Sequence, residues 1–359
     1  MCLACTQAPD PAKQDAFAER LLETLNHGMT ALLISIGHRT GLFDVLADGR
    51  PRTSAALAEE DGLHERYVRE WLGGMVVGRI VERDPATGEH RLPPEHAHWL
   101  SRKSPTANMA VFAQYLPTLA QVEDQILDCF RNGGGVPYAA FPRFHEVMAE
   151  DSGQSVVPVI VEEVVPLFPA LHERLAAGID VLDVGCGKGR ALMRLAETYP
   201  NSRFTGYDLS EEATRMAAAE AQRRGLSNLR FVPKDLTDWD EAAAFDWITA
   251  LDAIHDQARP DKVLSAIRRA LRPGGHFLMQ DIDASSEPVD NIHHPLGAML
   301  YTVSCMHCMT VSLAQDGLGL GAMWGVQLAE TMLREAGFGQ IDIHRFPHDV
   351  QNAYFLMNV

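Results

Sequence analysis

The chemistry legible in this chain rests on three aspartates and one glycine-dense turn. Asp183 lies in Val181-Leu-Asp-Val-Gly-Cys-Gly-Lys-Gly-Arg190, two residues before Gly185 and beside Cys186, Gly187 and Gly189. A dinucleotide turn wants Gly-x-Gly-x-x-Gly, which these glycines do not match, and a carboxylate at that place suits a cationic ligand group better than a pyrophosphate. Asp208, in Gly206-Tyr-Asp-Leu-Ser210, stands where an acidic side chain accepts both hydroxyls of a ribose. Asp235, in Pro233-Lys-Asp-Leu236, stands where a carboxylate accepts from an adenine amino group. One such residue alone would be an ordinary turn aspartate. Three in succession predict a cationic adenosyl ligand.

These residues need strands to deliver them to one edge. Beyond residue 178, apolar runs alternate with amphipathic helical patterns, the signature of a parallel sheet with crossover helices. The predicted strands are Ile179–Val184, Arg203–Tyr207, Leu229–Val232, Trp247–Leu251, His276–Gln280, Ile341–His344 and Tyr354–Met357. No helical stretch separates the last two, which predicts a hairpin and one antiparallel member. The fold expected is α/β, a seven-stranded doubly wound, Rossmann-like sheet, with Asp183, Asp208 and Asp235 closing three strands on the edge where such sheets bind ligands.

The N-terminal part has a different texture. Residues 14–36 carry apolar side chains at helical spacing. Two shorter helical stretches (53–60 and 63–72) and a hairpin around Asp84-Pro-Ala-Thr-Gly88 then make a winged helix-turn-helix. Such a unit can read DNA, but Thr53–Leu92 holds five Arg and no Lys against eight Asp plus Glu, the wrong balance for counterion release. Dimerisation and pocket lining are the preferred roles. From Ser101 to Leu175 the pattern is helical, broken by Gly133-Gly-Gly-Val-Pro-Tyr-Ala-Ala-Phe-Pro142, whose glycines and rings suggest a loop closing over a site.

Composition bounds the partners. The net charge of −17 repels a phosphate backbone and an anionic membrane, so neither nucleic acid nor membrane is expected. No apolar run of roughly 18 residues occurs and no signal peptide is visible, which predicts a cytoplasmic protein. Six cysteines in 359 residues read as reduced thiols. The pairs Cys2/Cys5 and Cys305/Cys308 have zinc-ligand spacing, yet one sits at the chain end and the other in an apolar helix, so no metal is expected.

From residue 178 to 282 the chain resembles the class I S-adenosylmethionine-dependent methyltransferases. The resemblance runs through Leu182-Asp-Val-Gly-Cys-Gly-Lys-Gly, Gly206-Tyr-Asp-Leu-Ser, Lys234-Asp-Leu, Phe245-Asp-Trp-Ile-Thr-Ala-Leu-Asp and Leu271-Arg-Pro-Gly-Gly-His-Phe-Leu, five motifs in the family's order. It implies that S-adenosylmethionine binds, and S-adenosylhomocysteine leaves, at Asp183, Gly185, Cys186, Gly187, Asp208, Leu209, Lys234, Asp235, Leu236, Leu251 and Asp252. The methionine part would lie at Asp183 and the glycine loop, the ribose at Asp208, the adenine at Asp235 and Leu236, and the sulfonium beside Leu251. Plant-type O-methyltransferases share the winged helix, which serves dimerisation there, and their general base is the histidine of a His-Asp-Trp motif. Ile254-His-Asp-Gln257 puts His255 in that position, with glutamine for tryptophan. A narrower bacterial and animal group is similar over the whole chain, through Gly135-Val-Pro-Tyr138, Ala253-Ile-His-Asp-Gln257, Asn291-Ile-His-His-Pro295, His307-Cys-Met-Thr-Val-Ser-Leu-Ala314 and Gly319-Leu-Gly-Ala-Met-Trp-Gly325. Some of its members methylate small thiols.

The expected organisation is therefore a winged-helix and dimerisation domain over 1–100, a helical linker and cap over 101–175, and an S-adenosylmethionine-binding domain over 176–359 with a cap insertion at 283–325. His255 is the expected catalytic residue. Tyr138, Phe141, Asp256, His294, Tyr301, His307 and Trp324 are expected to line the acceptor pocket, with the sulfur-rich stretch 296–314 as one wall. The expected reaction is methyl transfer to a small molecule by a homodimer, to a thiol or sulfide in preference to a hydroxyl. A winged-helix regulator that senses S-adenosylmethionine is the alternative of a different class.

Overall fold

The computed structural model describes residues 9–104 and 108–359, so Cys2 and Cys5 lie outside the described residues. The chain divides into two compact units, meeting at Pro117/Thr118.

In the first unit, the helix Pro11–Thr40 starts on an Asp10 cap that accepts from the Ala12 amide and ends at Gly41, whose φ of 81° needs a residue without a Cβ. The helices Ser54–Glu60 and Glu65–Val77 follow, then β1 (Glu82–Arg83) and β2 (His90–Arg91), paired antiparallel. The wing is shorter than its apolar pattern implies. Leu57, Val68, Trp71, Leu72 and Met75 close this unit's core around Phe43. Phe17, Leu21, Leu22, Leu25 and Met29 of the first helix stay about half exposed or more.

The second unit holds β3 (Asp180–Val184), β4 (Arg203–Asp208), β5 (Leu229–Pro233), β6 (Phe245–Leu251), β7 (Leu271–Ile282), β8 (Asp342–His344) and β9 (Asn352–Asn358). They form one sheet in the order β5-β4-β3-β6-β7-β9-β8, antiparallel only where β9 meets β7 and β8. The seven strands and the single reversed member are as the sequence predicts.

Two-residue alternation explains why both faces are covered. Leu182 and Val184 of β3, Ile248 of β6, Phe277 and Met279 of β7 and Phe355 of β9 bury against the helices Pro260–Ala270 and Gly325–Glu335. Val181, Trp247, Leu278 and Tyr354 point the other way, against the helices Leu171–Ala177 and Arg190–Thr198. Strand order reverses between β3's neighbours β4 and β6, and a crevice opens there at the strands' C-terminal ends.

Candidate active site

A cavity of about 550 Å³ occupies that crevice. All eleven residues expected to hold the cofactor line it: Asp183, Gly185, Cys186, Gly187, Asp208, Leu209, Lys234, Asp235, Leu236, Leu251 and Asp252.

The glycine loop has its shape for steric reasons. Gly185, Gly187 and Gly189 all have positive φ (70°, 50° and 66°). A Cβ on Gly189 would sit 2.3 Å from the Phe231 ring, and one on Gly185 would sit 2.5 Å from Ala253 Cβ. The loop is tied to β4: the Gly185 and Cys186 amides donate to Tyr207 O at 2.8 and 3.1 Å, and the Gly187 amide donates to Asp208 Oδ2 at 2.8 Å. The Ser210 amide takes the other Asp208 oxygen at 2.8 Å. Asp208 thus orders the loop while facing the cavity.

Asp183 is buried at the end of β3 and accepts from Thr249 Oγ1 at 2.6 Å. Burial, reinforced by the nearby Asp208 and only partly offset by Thr249, raises its pKa to about 7. Asp252 follows β6 with a left-handed φ of 55°, and burial likewise lifts its pKa to about 7. A cavity that holds two reluctant carboxylates is built for a positive charge. Asp235 is exposed, its Oδ1 held by the Thr237 amide at 2.8 Å, and the Lys234 ammonium turns to Glu241 at 2.5 Å.

The acceptor set divides. Tyr138, Phe141 and Asp256 line the cavity, whereas His255, His294, Tyr301, His307 and Trp324 do not. Tyr301 lies on the half-open side of the helix Gly297–Val303, opposite Leu300 and Val303. His294 caps its own turn, accepting from the Leu296 amide at 3.2 Å. His307 is fully buried behind the wall, its ring stacked on Phe144 with 3.3 Å between centroids. Trp324 serves from behind, donating Nε1 to Asp281 Oδ1 at 3.0 Å. The stretch 296–314 contributes only Val311 to the wall, so the expected sulfur-rich surface is absent from it.

His255 sits one layer back from the cavity, 2 % exposed. Its Nδ1 is 2.7 Å from Asp281 Oδ1, and because a carboxylate only accepts, that nitrogen carries a proton. Nε2 lies 3.2 Å from Oδ1 of Asp256, the residue that faces the cavity. Burial opposes the imidazolium, but the charges of Asp281 and Asp256 outweigh it and raise the His255 pKa well above its ordinary value. Burial also disfavours the Asp256 carboxylate, and His255 reverses that, leaving its pKa below the usual range. The pair is an ion pair at neutral pH.

Sequence reasoning missed Asp281, though it too closes a strand, and it missed the helix Phe144–Ser152, which gives His145 and Met148 to the cavity. The Tyr138 and His145 rings stack 4.4 Å apart there. The loop before Tyr138 is anchored: Val136 donates to Thr310 Oγ1 at 2.7 Å, and a Cβ on Gly135 would meet Thr310 O at 2.0 Å.

Residues 28–102 match the family model described as the Rv2258c-like winged HTH domain, and residues 175–337 match the one described as a methyltransferase domain. The chain therefore carries a methyltransferase domain behind a winged helix-turn-helix domain. A fatty-acid O-methyltransferase of Mycolicibacterium smegmatis is 34 % identical over 105 residues, 29 % of this chain and 37 % of that one. The chain spans less than half the length of this and the next curated relatives it matches. Among solved structures, the mitomycin 7-O-methyltransferase superposes with a TM-score of 0.71 at 17 % identity, over 98 % of this chain and all of that one. Human N-acetylserotonin methyltransferase, solved with S-adenosylmethionine, gives 0.67 at 20 % identity, over 95 % and 97 %. At those identities the methyltransferase likeness extends to the fold.

Proposed function

We propose that this protein transfers the methyl group of S-adenosylmethionine to a small-molecule acceptor, a thiol or sulfide ahead of a hydroxyl. The observation that carries the reading is one cavity walled by the glycine loop and by the ends of β3, β4, β5 and β6, with the Asp256–His255–Asp281 chain at its side. Asp183 takes the ammonium of the methionine part, Asp208 the ribose, Asp235 and Leu236 the adenine, and Leu251 flanks the sulfonium. Such a transfer is an in-line displacement, so positioning and exclusion of water do most of the catalysis. Tyr138, Phe141 and Phe144 form the water-excluding wall.

The acceptor preference follows from the charge on His255. Two carboxylates keep its imidazole protonated at neutral pH, so it is a poor free base and a good partner for an anion. A thiol with a pKa of about 8.5 needs little help to ionise and so does not require a free base. The oxygen acceptors in the names of similar proteins favour a second reading, O-methylation with His255 as base. Incubation with methyl-labelled S-adenosylmethionine and a panel of thiols, phenols and amines separates them. Label in thioethers is expected, and label in phenols alone would sink the thiol preference.

Homodimerisation belongs to the same proposal. The half-exposed row Phe17, Leu21, Leu22, Leu25 and Met29 on the first helix is an apolar stripe of the kind that pairs with a copy of itself.

A further inference from the structure

Behind the cavity wall lies a cluster that no spacing in the sequence announces. His255, Asp256 and Cys308 each bring a ligand-type atom to within 4.8 Å of the other two. Cys308 arrives from the cap, where the chain widens into a π turn over Ser304–Cys308, so that His307 and Cys308, adjacent in sequence, are both buried. The cluster is under-satisfied. Among the described residues, both ring nitrogens of His307 are buried without a hydrogen-bond partner, Nδ1 facing Asp256 Oδ2 at 4.0 Å, while Asp256 Oδ1 has only the His255 Nε2 contact at 3.2 Å.

We propose that His255 Nε2, the Asp256 carboxylate and Cys308 Sγ form a zinc site, with a fourth position through which a thiol acceptor is activated. The donor set, one imidazole, one carboxylate and one thiolate, suits zinc. Two ligands at about 2.0 Å from a tetrahedral zinc ion lie about 3.3 Å apart, and His255 Nε2 and Asp256 Oδ1 are separated by 3.2 Å. The outer partner is in place as well. Asp281 holds His255 Nδ1–H, so zinc would displace the proton that Nε2 otherwise holds against Asp256 and take that nitrogen's lone pair, and Trp324 and the Ile282 amide fix Asp281 in turn. Of the three ligands Asp256 lines the cavity, so an incoming acceptor approaches from its side.

The chemistry balances without an added oxidant or reductant. A thiol coordinates zinc and releases its proton to solvent. The zinc-held sulfur then attacks the methyl carbon, the carbon–sulfur bond of the sulfonium breaks with its electron pair staying on S-adenosylhomocysteine, and a neutral thioether leaves. This inference rests on the cavity being the acceptor site, but the presence of the metal can be tested without turnover. Full-length protein purified without chelator and incubated with zinc should carry one equivalent by mass spectrometry, melt at higher temperature than after chelator treatment, and show a thiolate-to-cobalt charge-transfer band when cobalt replaces zinc. Cys308→Ser should abolish that band and weaken zinc binding at least about tenfold, with Asp256→Asn weakening it likewise, while Cys305→Ser keeps both. Less than a tenth of an equivalent in zinc-treated wild-type protein, or a cobalt band that survives Cys308→Ser, would overturn the site. Loaded protein that methylates no acceptor supports the site and counts against the proposed reaction; metal-free protein with full activity on thiols does the reverse.

Discussion

Asp183 offers a test worked from one number. Burial raises its pKa to about 7, while the ammonium that it is proposed to hold requires the carboxylate. The ionised fraction falls from about nine-tenths at pH 8 to about one-tenth at pH 6, and each further unit below costs about 1.4 kcal/mol. The sign is fixed: raising the pH ionises Asp183 and strengthens cofactor binding, with the gain levelling off above pH 7. Affinity for S-adenosylhomocysteine should therefore drop about tenfold between pH 8 and pH 6. Asp252 titrates in the same range and lines the same cavity, so the diagnostic quantity is the ratio of wild type to Asp183→Asn. The amide can still accept from Thr249 while losing the charge. Calorimetry from pH 5.5 to 8, repeated in buffers of different ionisation enthalpy, reads both affinity and proton release. A ratio that stays constant across that range would refute the assignment of Asp183 to the ammonium.

Other residues give sharper local outcomes. Asp208→Ala removes the acceptor for the Gly187 and Ser210 amides as well as the ribose contact, and should weaken S-adenosylhomocysteine binding about 10- to 100-fold with a smaller effect on kcat at saturation. His255→Ala should do the opposite, lowering kcat by about 10²-fold or more with cofactor affinity nearly unchanged, as measured by titration and steady-state kinetics. Gly189→Ala forces a Cβ into Phe231 at positive φ, and should cost about 1–3 kcal/mol, visible as a lower Tm. Leu21→Glu with Leu25→Glu should convert a dimer into a folded monomer by light scattering, and an unchanged mass would remove the first helix from the interface.

How far the sequence could be read depended on whether local pattern or tertiary placement decides a residue's neighbours. Val181, Leu182 and Val184 are apolar on both faces because helices cover both sides of β3, and the run announced a central parallel strand. The aspartates at strand ends were legible for the same reason: a strand's end fixes an edge. The place of His255 behind Asp256 was not, because a single left-handed residue, Asp252, follows β6 and the chain then sets Asp256 in the wall with His255 behind it. The approach of Cys308 to His255 joins two segments about fifty residues apart through a π turn, which periodicity does not encode. Tyr301 and His294, expected in the pocket, do not line it, because helix phase and a local turn place them elsewhere.

A structure with S-adenosylhomocysteine bound tests the central claim most directly. The account predicts the ribose hydroxyls on Asp208, the ammonium at Asp183, the adenine beside Leu236, and the sulfur next to Leu251 and directed toward Asp256. A ligand outside this cavity, or within it but reversed so that the adenine meets Asp183, would contradict it.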